Sequence, residues 1–338
     1  MRRRCAESMI RLLLIQKSSW HDWLAGTVLL VVVIIIGSLA IRLFQHSGIP
    51  LGWDFFRNPA GFGLSETLIP YDLQMSVTRA FVAGLLNTLK VSMLAIVGAV
   101  LLGTVVALCR LSLSPVLRVL GTGYVELLRN LPLLLLVLAW YFSMAQGLPD
   151  NLQPWMLGNV VLDKGGLHVP AVYIAGPPLS WAVDSPKTTR FGHAGGWVLS
   201  PEFLALWLAL TTYTAAYIAE IIRGGLLSVR SGQVHAAQGL GLTPRQVRRF
   251  VVFPQAMKMI VPSLSNQLLN LTKNSSLAVA IGYPELMAVS NTVINQTGRA
   301  LECVLTTMAV YLLLSIVTSG ILNFYNRRVA LRGLEDVR

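Results

Sequence analysis

Long apolar stretches alternate with shorter polar ones along the whole chain. Four stretches carry no charged side chain, and they cover residues 24–41, 91–109, 130–149 and 303–326. A helix of 18 residues is roughly 27 Å long, which is enough to cross the hydrocarbon layer of a bilayer. Two further apolar segments cover about 203–224 and 262–293, and the second is interrupted by polar residues 272–276 and by Gly282 and Pro284. The pattern predicts an all-α integral membrane protein with about six transmembrane helices.

The distribution of basic residues predicts which segments face the cytoplasm. Lys and Arg are concentrated before the first apolar stretch, between alternate stretches and after the last one, as the positive-inside rule requires. Both termini are therefore expected in the cytoplasm. The predicted organisation is a cytoplasmic N-terminus (1–23), an extra transmembrane helix (24–44), a periplasmic loop (45–80), a membrane core (81–328) and a cytoplasmic tail (329–338).

The first apolar stretch has a second interpretation. A basic start before an apolar run is also the signature of a secretory signal peptide. Against this, the run is long, Arg42 follows it directly, and no small-x-small cleavage site is evident. A membrane anchor is therefore favoured.

Composition excludes several classes of protein. The 338 residues are 54% hydrophobic and 12% charged, which is not the composition of a soluble globular domain. The net charge of +12 could suggest nucleic-acid binding, but the basic residues lie between apolar spans. The three cysteines, Cys5, Cys109 and Cys303, have no metal-binding spacing and are expected to pack inertly. No glycine-rich phosphate loop is present, so the chain itself is not expected to bind ATP or to be an enzyme.

Residues 150–200 form the longest polar segment in the middle of the chain. They are rich in Gly and Pro and contain Trp155, Trp181 and Trp197. The segment is too long for an ordinary connection between helices. It predicts an external insertion that forms a small subdomain or lid.

A polar and basic segment at about 228–261 follows the fourth predicted span. Small residues at positions 236, 237, 239 and 241 give it a shallow surface that another protein could approach closely. Thr243 is suited to cap a second helix that begins at Pro244. Pro254 and Pro262 are expected to interrupt the chain. The segment therefore predicts an elbow of two short helices at the membrane surface.

The order of residues in this segment resembles a known motif. Ala236-Ala237, then Gly241 and Val251-Val-Phe-Pro254, is similar to the EAA loop in the membrane-spanning subunits of ABC importers. The continuation, with Phe253-Pro-Gln-Ala256, Pro262, Asn266 and Leu271-Thr-Lys-Asn-Ser-Ser-Leu277, resembles the polar and general L-amino-acid permease family. The family usually has Glu at the position of His235, which here removes the carboxylate of any ion pair. The resemblance covers about residues 80–328 and implies a five-helix permease core.

The resemblance implies a function and a set of partners. The chain would be the pathway subunit of an ATP-driven amino-acid importer in the bacterial inner membrane. It would pair with a second permease subunit, a sister subunit in preference to a second copy of itself, and with a homodimeric ATP-binding subunit that carries ATP and Mg²⁺. A periplasmic amino-acid-binding protein would deliver the substrate. The elbow would be the coupling helix, with contacts through His235, Ala236, Ala237, Gly239, Gly241 and Pro254, and Gly241→Asp would abolish transport.

Polar residues inside the predicted spans are candidates for the substrate pathway, because a charge at bilayer depth must pair or face water. Two segments place Glu and Arg three residues apart on one helical face, first Glu126 with Arg129 and second Glu220 with Arg223. Each Glu-x-x-Arg pair is either a structural ion pair or part of the substrate pathway. Lys273 is expected near mid-membrane, either offering its charge to a substrate carboxylate or pairing with Glu220 or Glu126. The candidate pathway residues are Asn87, Glu126, Arg129, Glu220, Arg223, Lys273, Asn274, Ser275 and Ser276. Glu285 and Glu302 are expected to be solvated near the outer surface.

Two other functions remain open from the sequence. The Glu-x-x-Arg pairs could serve as the relay of an ion-coupled secondary transporter that needs no ATPase. A membrane sensor or scaffold that binds a ligand through residues 150–200 is the second alternative.

Overall fold

A computed structural model describes residues 52–151, 153–175, 180–189 and 192–335, together with isolated positions between 27 and 42. Side chains are described for residues 52–171 (except 152), 183–187, 195–324 and those isolated positions. The chain divides into two compact units, Met1–Trp53 and Asp54–Arg338. The predicted N-terminus (1–23) and most of the predicted extra helix (24–44) lie outside the described residues. The isolated positions described in that stretch are helical.

The second unit is mainly helical. Its α-helices are Val77–Leu111 (α1), Pro115–Arg129 (α2), Leu133–Gly147 (α3), Pro201–Leu227 (α4), Ser231–Gly239 (α5), Pro244–Val247 (α6), Phe253–Asn274 (α7), Leu286–Thr297 (α8) and Ala300–Glu335 (α9). Short 3₁₀-helices cover Asp54–Arg57 and Ser275–Ile281, and a π-helical turn covers Arg248–Val252. Among the described residues, α1, α4 and α9 are long and apolar enough to span a membrane, and two bent pairs raise the number of spans to as many as five.

Helices α1 and α4 form the centre of the bundle and run parallel. The Lys90 ammonium lies 4.6 Å from the centre of the Phe203 ring near the start of α4. Further along both helices, a Cβ on Gly103 would lie 2.8 Å from the Ile218 Cβ, so only glycine permits this close approach. Because both helices run the same way, the chain between them must cross the bundle once, as the predicted topology requires.

The third predicted span is not one continuous helix. Helices α2 and α3 meet at a bend of 105° between Arg129 and Leu133. Pro132 has extended backbone geometry and precedes the first residue of α3, and a proline also disfavours helical geometry in the residue before it. The uncharged stretch 130–149 therefore begins at this bend and continues as α3.

The segment after the elbow also differs from the prediction. Helix α6, the π-helical turn and α7 follow one another without a break from Pro244 to Asn274. Pro254 is the second residue after the π turn, whose wider backbone accommodates the missing N–H group. Pro262 lies inside α7 because its fixed φ angle is itself helical. The interruption expected at these prolines is therefore wrong, whereas the predicted break farther on is confirmed at Ser275–Pro284, where the chain bends by 45° before α8.

The inserted segment folds as β-structure, which corrects the all-α expectation for this region. Its strands are Trp155–Leu157 (β1), Val160–Asp163 (β2), Gly166–Val169 (β3), Ala171–Ala175 (β4), Ser180–Asp184 (β5), Lys187–Thr189 (β6), Gly192–Ala194 (β7) and Trp197–Leu199 (β8). Strands β1, β2, β3 and β8 form an antiparallel sheet in that order, and β4–β5 and β6–β7 pair separately. The described residues of this segment form short strands and no membrane-crossing helix.

Candidate functional site: the elbow and the helix that follows it

The elbow consists of α5 and the start of the helix that begins at Pro244. Thr243 accepts a hydrogen bond from the Gln246 N–H, and the Gln246 side chain accepts one from the Thr243 N–H. The sequence predicted Thr243 as the cap, and the structure adds the reciprocal bond with Gln246. Gly241 has a φ of +82°, a left-handed geometry that favours glycine, and it turns the chain between the two helices.

One face of the elbow is accessible and carries small side chains. Ala237 is buried against the protein, whereas His235, Ala236 and Gly239 are exposed. A Cβ on Gly239 would meet no other atom within 4 Å. Three large apolar side chains are also exposed, at 84%, 61% and 58%, namely Leu240, Phe250 and Phe253. Exposed apolar side chains beside a shallow surface are typical of a protein-binding site.

Helix α4 makes a close contact with α7, the helix that leaves the elbow. A Cβ on Gly225 would lie 2.3 Å from the Ile260 Cγ1, so glycine is needed for α4 and α7 to approach this closely. Ile260 is 6% exposed. The contact joins the end of the central helix to the helix that leaves the elbow.

Helix α7 has an exposed polar face. Besides Phe253, Lys258 and Pro262, its exposed side chains recur at intervals of three and four residues, which places them on one side of the helix. They are Met259, Ser263, Asn266, Asn270 and Lys273. We refer to the last four of these residues as the polar stripe. The sequence pointed to Lys273 as a pathway residue and to Asn266 as part of the family motif. Ser263 and Asn270 were not predicted, although their spacing from Lys273 was the available signal.

The exposed faces of α1 and α9 are apolar. On α1 the exposed side chains include Met93, Val97, Leu101, Val105 and Leu108. On α9 they include Met308, Leu312, Ile316 and Ile321. Faces of this kind are suited to lipid, whereas amides and an ammonium in contact with lipid are costly. The polar stripe therefore marks the side of the bundle that faces water or another polar surface.

Candidate pathway residues Lys273, Asn274, Ser275 and Ser276 lie together at the end of α7. The Ser275 and Ser276 hydroxyls each donate to a backbone carbonyl three residues earlier, at 2.8 Å. Lys273 is exposed, and neither of the predicted pairings, with Glu220 or with Glu126, is present. Glu220 is already occupied by two arginines.

The second Glu-x-x-Arg pair is an ion pair within a larger cluster. The Arg223 Nη2 donates to the Glu220 Oε1 at 2.5 Å, and Arg110 from the end of α1 binds the other oxygen of Glu220. The Arg110 side chain is 12% exposed. The cluster therefore ties the ends of α1 and α4 together, which agrees with the structural alternative for this pair.

The first Glu-x-x-Arg pair is arranged differently. The Arg129 guanidinium lies 5.2 Å from the centre of the Tyr217 ring, and the Tyr217 hydroxyl is 3.1 Å from that of Tyr213. Glu126 is exposed. Within the part of the chain that the structure describes, Glu126 and Arg129 do not form an ion pair, and the Arg129 guanidinium lies against α4 instead.

Asn87 lies in a packed contact at the opposite end of α1. It is 0% exposed, and its Nδ2 donates to the carbonyls of Glu66 at 2.8 Å and Pro284 at 2.9 Å. Glu66 forms an ion pair with Lys90 and accepts a hydrogen bond of 2.8 Å from the Ser200 hydroxyl. Glu66 therefore connects the loop before α1 to both central helices, a role that sequence analysis did not identify.

Glu285 and Glu302 are not solvated, so that prediction was wrong. Both are 0% exposed. Glu285 caps α8, accepting from the N–H groups of Met287 at 2.9 Å and Ala288 at 2.8 Å, and it also accepts from the Tyr311 hydroxyl at 2.9 Å. Glu302 lies in the first turn of α9, where the helix dipole favours a carboxylate. An acidic residue at a helix start can turn back into the protein rather than outward into solvent.

The described residues contain no cluster of three or more His, Cys, Asp or Glu side chains that could hold a metal ion. Cys109 is half-buried and Cys303 is buried, both as free thiols, and Cys5 lies outside the described residues.

Comparison with known proteins shows the relationship of this chain. Residues 99–331 match the family model described as the inner membrane component of binding-protein-dependent transport systems. The putative amino-acid ABC transporter permease YhdX of Escherichia coli K12 is 38% identical, with 91% of this chain and 94% of the relative covered. The general L-amino acid transport system permease AapQ of Rhizobium johnstonii is 35% identical, with coverage of 90% and 91%.

Solved structures agree with this relationship. A crystal structure of an amino acid ABC transporter with histidines is 28% identical with a TM-score of 0.55, and the match covers 74% of this chain and 94% of that one. The MetNI methionine ABC transporter, at 17% identity and a TM-score of 0.51, covers 75% and 97% and shows the same fold. The chain therefore belongs to the family of inner-membrane components of binding-protein-dependent transport systems.

Proposed function

We propose that this chain is a pathway subunit of an ATP-driven importer of amino acids. The relatives and the solved structure named above are amino-acid ABC transporter components, which supports this substrate class. We place ATP and Mg²⁺ on a homodimeric partner ATPase, and substrate delivery on a periplasmic binding protein. A second permease, a sister subunit rather than a second copy, would complete the pathway in the bacterial inner membrane, with both termini in the cytoplasm.

The observation that carries the proposal is the unbroken helical path from the elbow to the polar stripe. The helix that starts at Pro244 in the elbow continues to Asn274, beside Lys273. Its 31 residues correspond to roughly 46 Å. A movement of the elbow would therefore be transmitted directly to the polar side chains of α7.

The polar stripe supplies the chemistry expected of a pathway for amino acids. The amides of Asn266 and Asn270 can donate and accept hydrogen bonds, and the Lys273 ammonium can bind a carboxylate. Because this face is exposed in the single chain, the second permease would face it across the pathway. Alternating access would then follow from tilting this helix relative to its counterpart.

The elbow contact can be tested with a matched pair of glycine substitutions. Gly239→Asp places a charge on the accessible face, where a Cβ meets no other atom, so it adds no strain within the chain. Gly63→Asp is the control, because Gly63 also has open space but lies in the loop before α1. Gly241→Asp is less informative, since the positive φ of Gly241 adds backbone strain.

The measurement is copurification with the ATPase from native membranes, followed by amino-acid uptake by the reconstituted complex. Gly239→Asp should weaken ATPase binding roughly tenfold or more, because an unpaired charge is buried at the interface. Gly63→Asp should bind the ATPase as the wild type does. Uptake without any bound ATPase would refute the proposal and favour an ion-coupled secondary transporter. Failure of the complete complex to take up amino acids would favour the sensor or scaffold.

A further inference from the structure

A cavity of about 780 Å³ opens beside α1, away from the elbow. It is bounded by the loop before α1, by the outer turns of α1 and by the edge of the inserted sheet. Among its lining residues are Glu66, Lys90, Leu94, Trp197 and Leu199. It lies outside the elbow and the polar stripe and has no part in the mechanism described above.

The cavity lies at the depth of lipid head groups. Residues 91–109 of α1 are uncharged and correspond to a helix of about 28 Å, close to the thickness of the hydrocarbon layer. Lys90 is the charged residue at one end of this stretch and Arg110 is the one at the other. Trp197 on the cavity wall is 66% exposed, and tryptophan is enriched at the membrane–water interface.

The polar part of the cavity contains one positive and one negative group. The Lys90 and Glu66 side chains form an ion pair and are 15% and 9% exposed. Glu66 takes one of the three donor positions of the ammonium, and the Phe203 ring faces another, which leaves one for a further acceptor. Because the pair is neutral overall, it suits a zwitterionic ligand better than an anionic one.

The apolar part of the cavity continues along the membrane-facing side of α1. Leu94 lies one turn beyond Lys90 and is 47% exposed. Val97 and Leu101 extend the same exposed apolar face by two further turns, at 58% and 64%. A ligand with charged groups at one end and a hydrocarbon chain at the other would satisfy both parts of the cavity.

We propose that this cavity binds phosphatidylethanolamine. The phosphate accepts a hydrogen bond from Lys90, the ammonium lies between Glu66 and the Trp197 ring, and an acyl chain follows Leu94 toward Leu101. A free amino acid shares the two head-group charges, but it has no hydrocarbon chain to cover the apolar face of α1. The lipid would fix the inserted sheet against the membrane.

The test compares two substitutions on the same face of α1. Leu94→Trp fills the apolar floor of the cavity and leaves the ion pair intact. Leu108→Trp is the control, because it lies on the same exposed face about four turns beyond Leu94 and does not line the cavity. The full-length protein is purified from membranes of mixed lipid, and the retained lipids are counted by native mass spectrometry.

We expect one tightly held phosphatidylethanolamine per wild-type chain, its loss in Leu94→Trp and its retention in Leu108→Trp. Exchange experiments with phosphatidylglycerol should show about tenfold weaker retention, because that head group lacks the ammonium. The double variant Lys90→Gln with Glu66→Gln should lose this preference. Equal retention of both lipids by the wild type, equal loss in both tryptophan variants, or displacement of the lipid by free amino acid would overturn the proposal.

Discussion

The contact between Gly225 of α4 and Ile260 of α7 determines how closely these two helices approach. It permits a quantitative prediction. In Gly225→Ala, the new Cβ would lie 2.3 Å from the Ile260 Cγ1 and 3.0 Å from its Cδ1. Ordinary contact between carbon atoms begins near 3.4 Å, so Ile260 or the whole of α7 must move by about 1 Å. Without this clash, replacing glycine with alanine inside a helix would stabilise it by about 1 kcal/mol.

Overpacking of this size costs about 1–3 kcal/mol. Gly225→Ala should therefore lower the free energy of unfolding by up to about 2 kcal/mol, with the propensity gain of about 1 kcal/mol partly offsetting the clash. Ile260→Ala alone should cost about 2–5 kcal/mol, because its side chain is largely buried. In the double variant the clash is absent, so alanine at position 225 should become neutral or stabilising. The two substitutions should couple by about 2 kcal/mol.

The assay is equilibrium unfolding of the purified protein in a mild detergent, with the four proteins of the double-mutant cycle measured side by side. Helix content and aggregation state of each variant serve as controls for folding. If Gly225→Ala alone stabilises the protein, or if the two effects add without coupling, then α4 and α7 do not approach as closely as described.

Three further predictions concern individual charges. Glu285→Ala should lower the free energy of unfolding by about 3 kcal/mol, because it removes the cap of α8 and leaves the Tyr311 hydroxyl without its acceptor; Glu285→Gln should cost less in the same unfolding titration. Glu220→Ala should cost about 1–3 kcal/mol, since it leaves the largely buried Arg110 unpaired, and an unchanged unfolding curve would contradict this. Lys273→Gln should change the free energy of unfolding by less than about 0.5 kcal/mol, because the side chain is exposed. It should nevertheless raise the KM for amino-acid uptake. An unchanged KM would exclude a role of Lys273 in the pathway.

Local signals in the sequence predicted where the second helix of the elbow begins, although not its length. Thr243 before Pro244, with Gln246 three residues later, specifies a capped helix start through contacts among neighbouring residues. The break at Gly282 and Pro284 was likewise readable, because a left-handed residue and a proline end a helix wherever they occur.

Features that depend on distant contacts were not predictable in this way. Glu285 has the same charge as a solvated surface residue, and only Tyr311 from another helix and the cap of α8 make its burial favourable. Pro262 normally predicts a helix end, but packing of α7 on the bundle outweighs its missing hydrogen bond. The sequence did not predict the β-structure of residues 155–199, because short strands gain their stability from pairing with one another.

The central claim is that the elbow moves a water-facing polar stripe on α7. The most direct measurement is the reactivity of Asn270→Cys toward a charged thiol reagent, in a background without the three natural cysteines and in the reconstituted complex with its ATPase. Leu312→Cys on the apolar face of α9, 62% exposed in the single chain, is the control. The account predicts that Asn270→Cys reacts, that its rate changes when ATP is trapped on the ATPase, and that Leu312→Cys does not react. Equal reactivity at both positions, or a rate at Asn270→Cys that is independent of nucleotide, would contradict it.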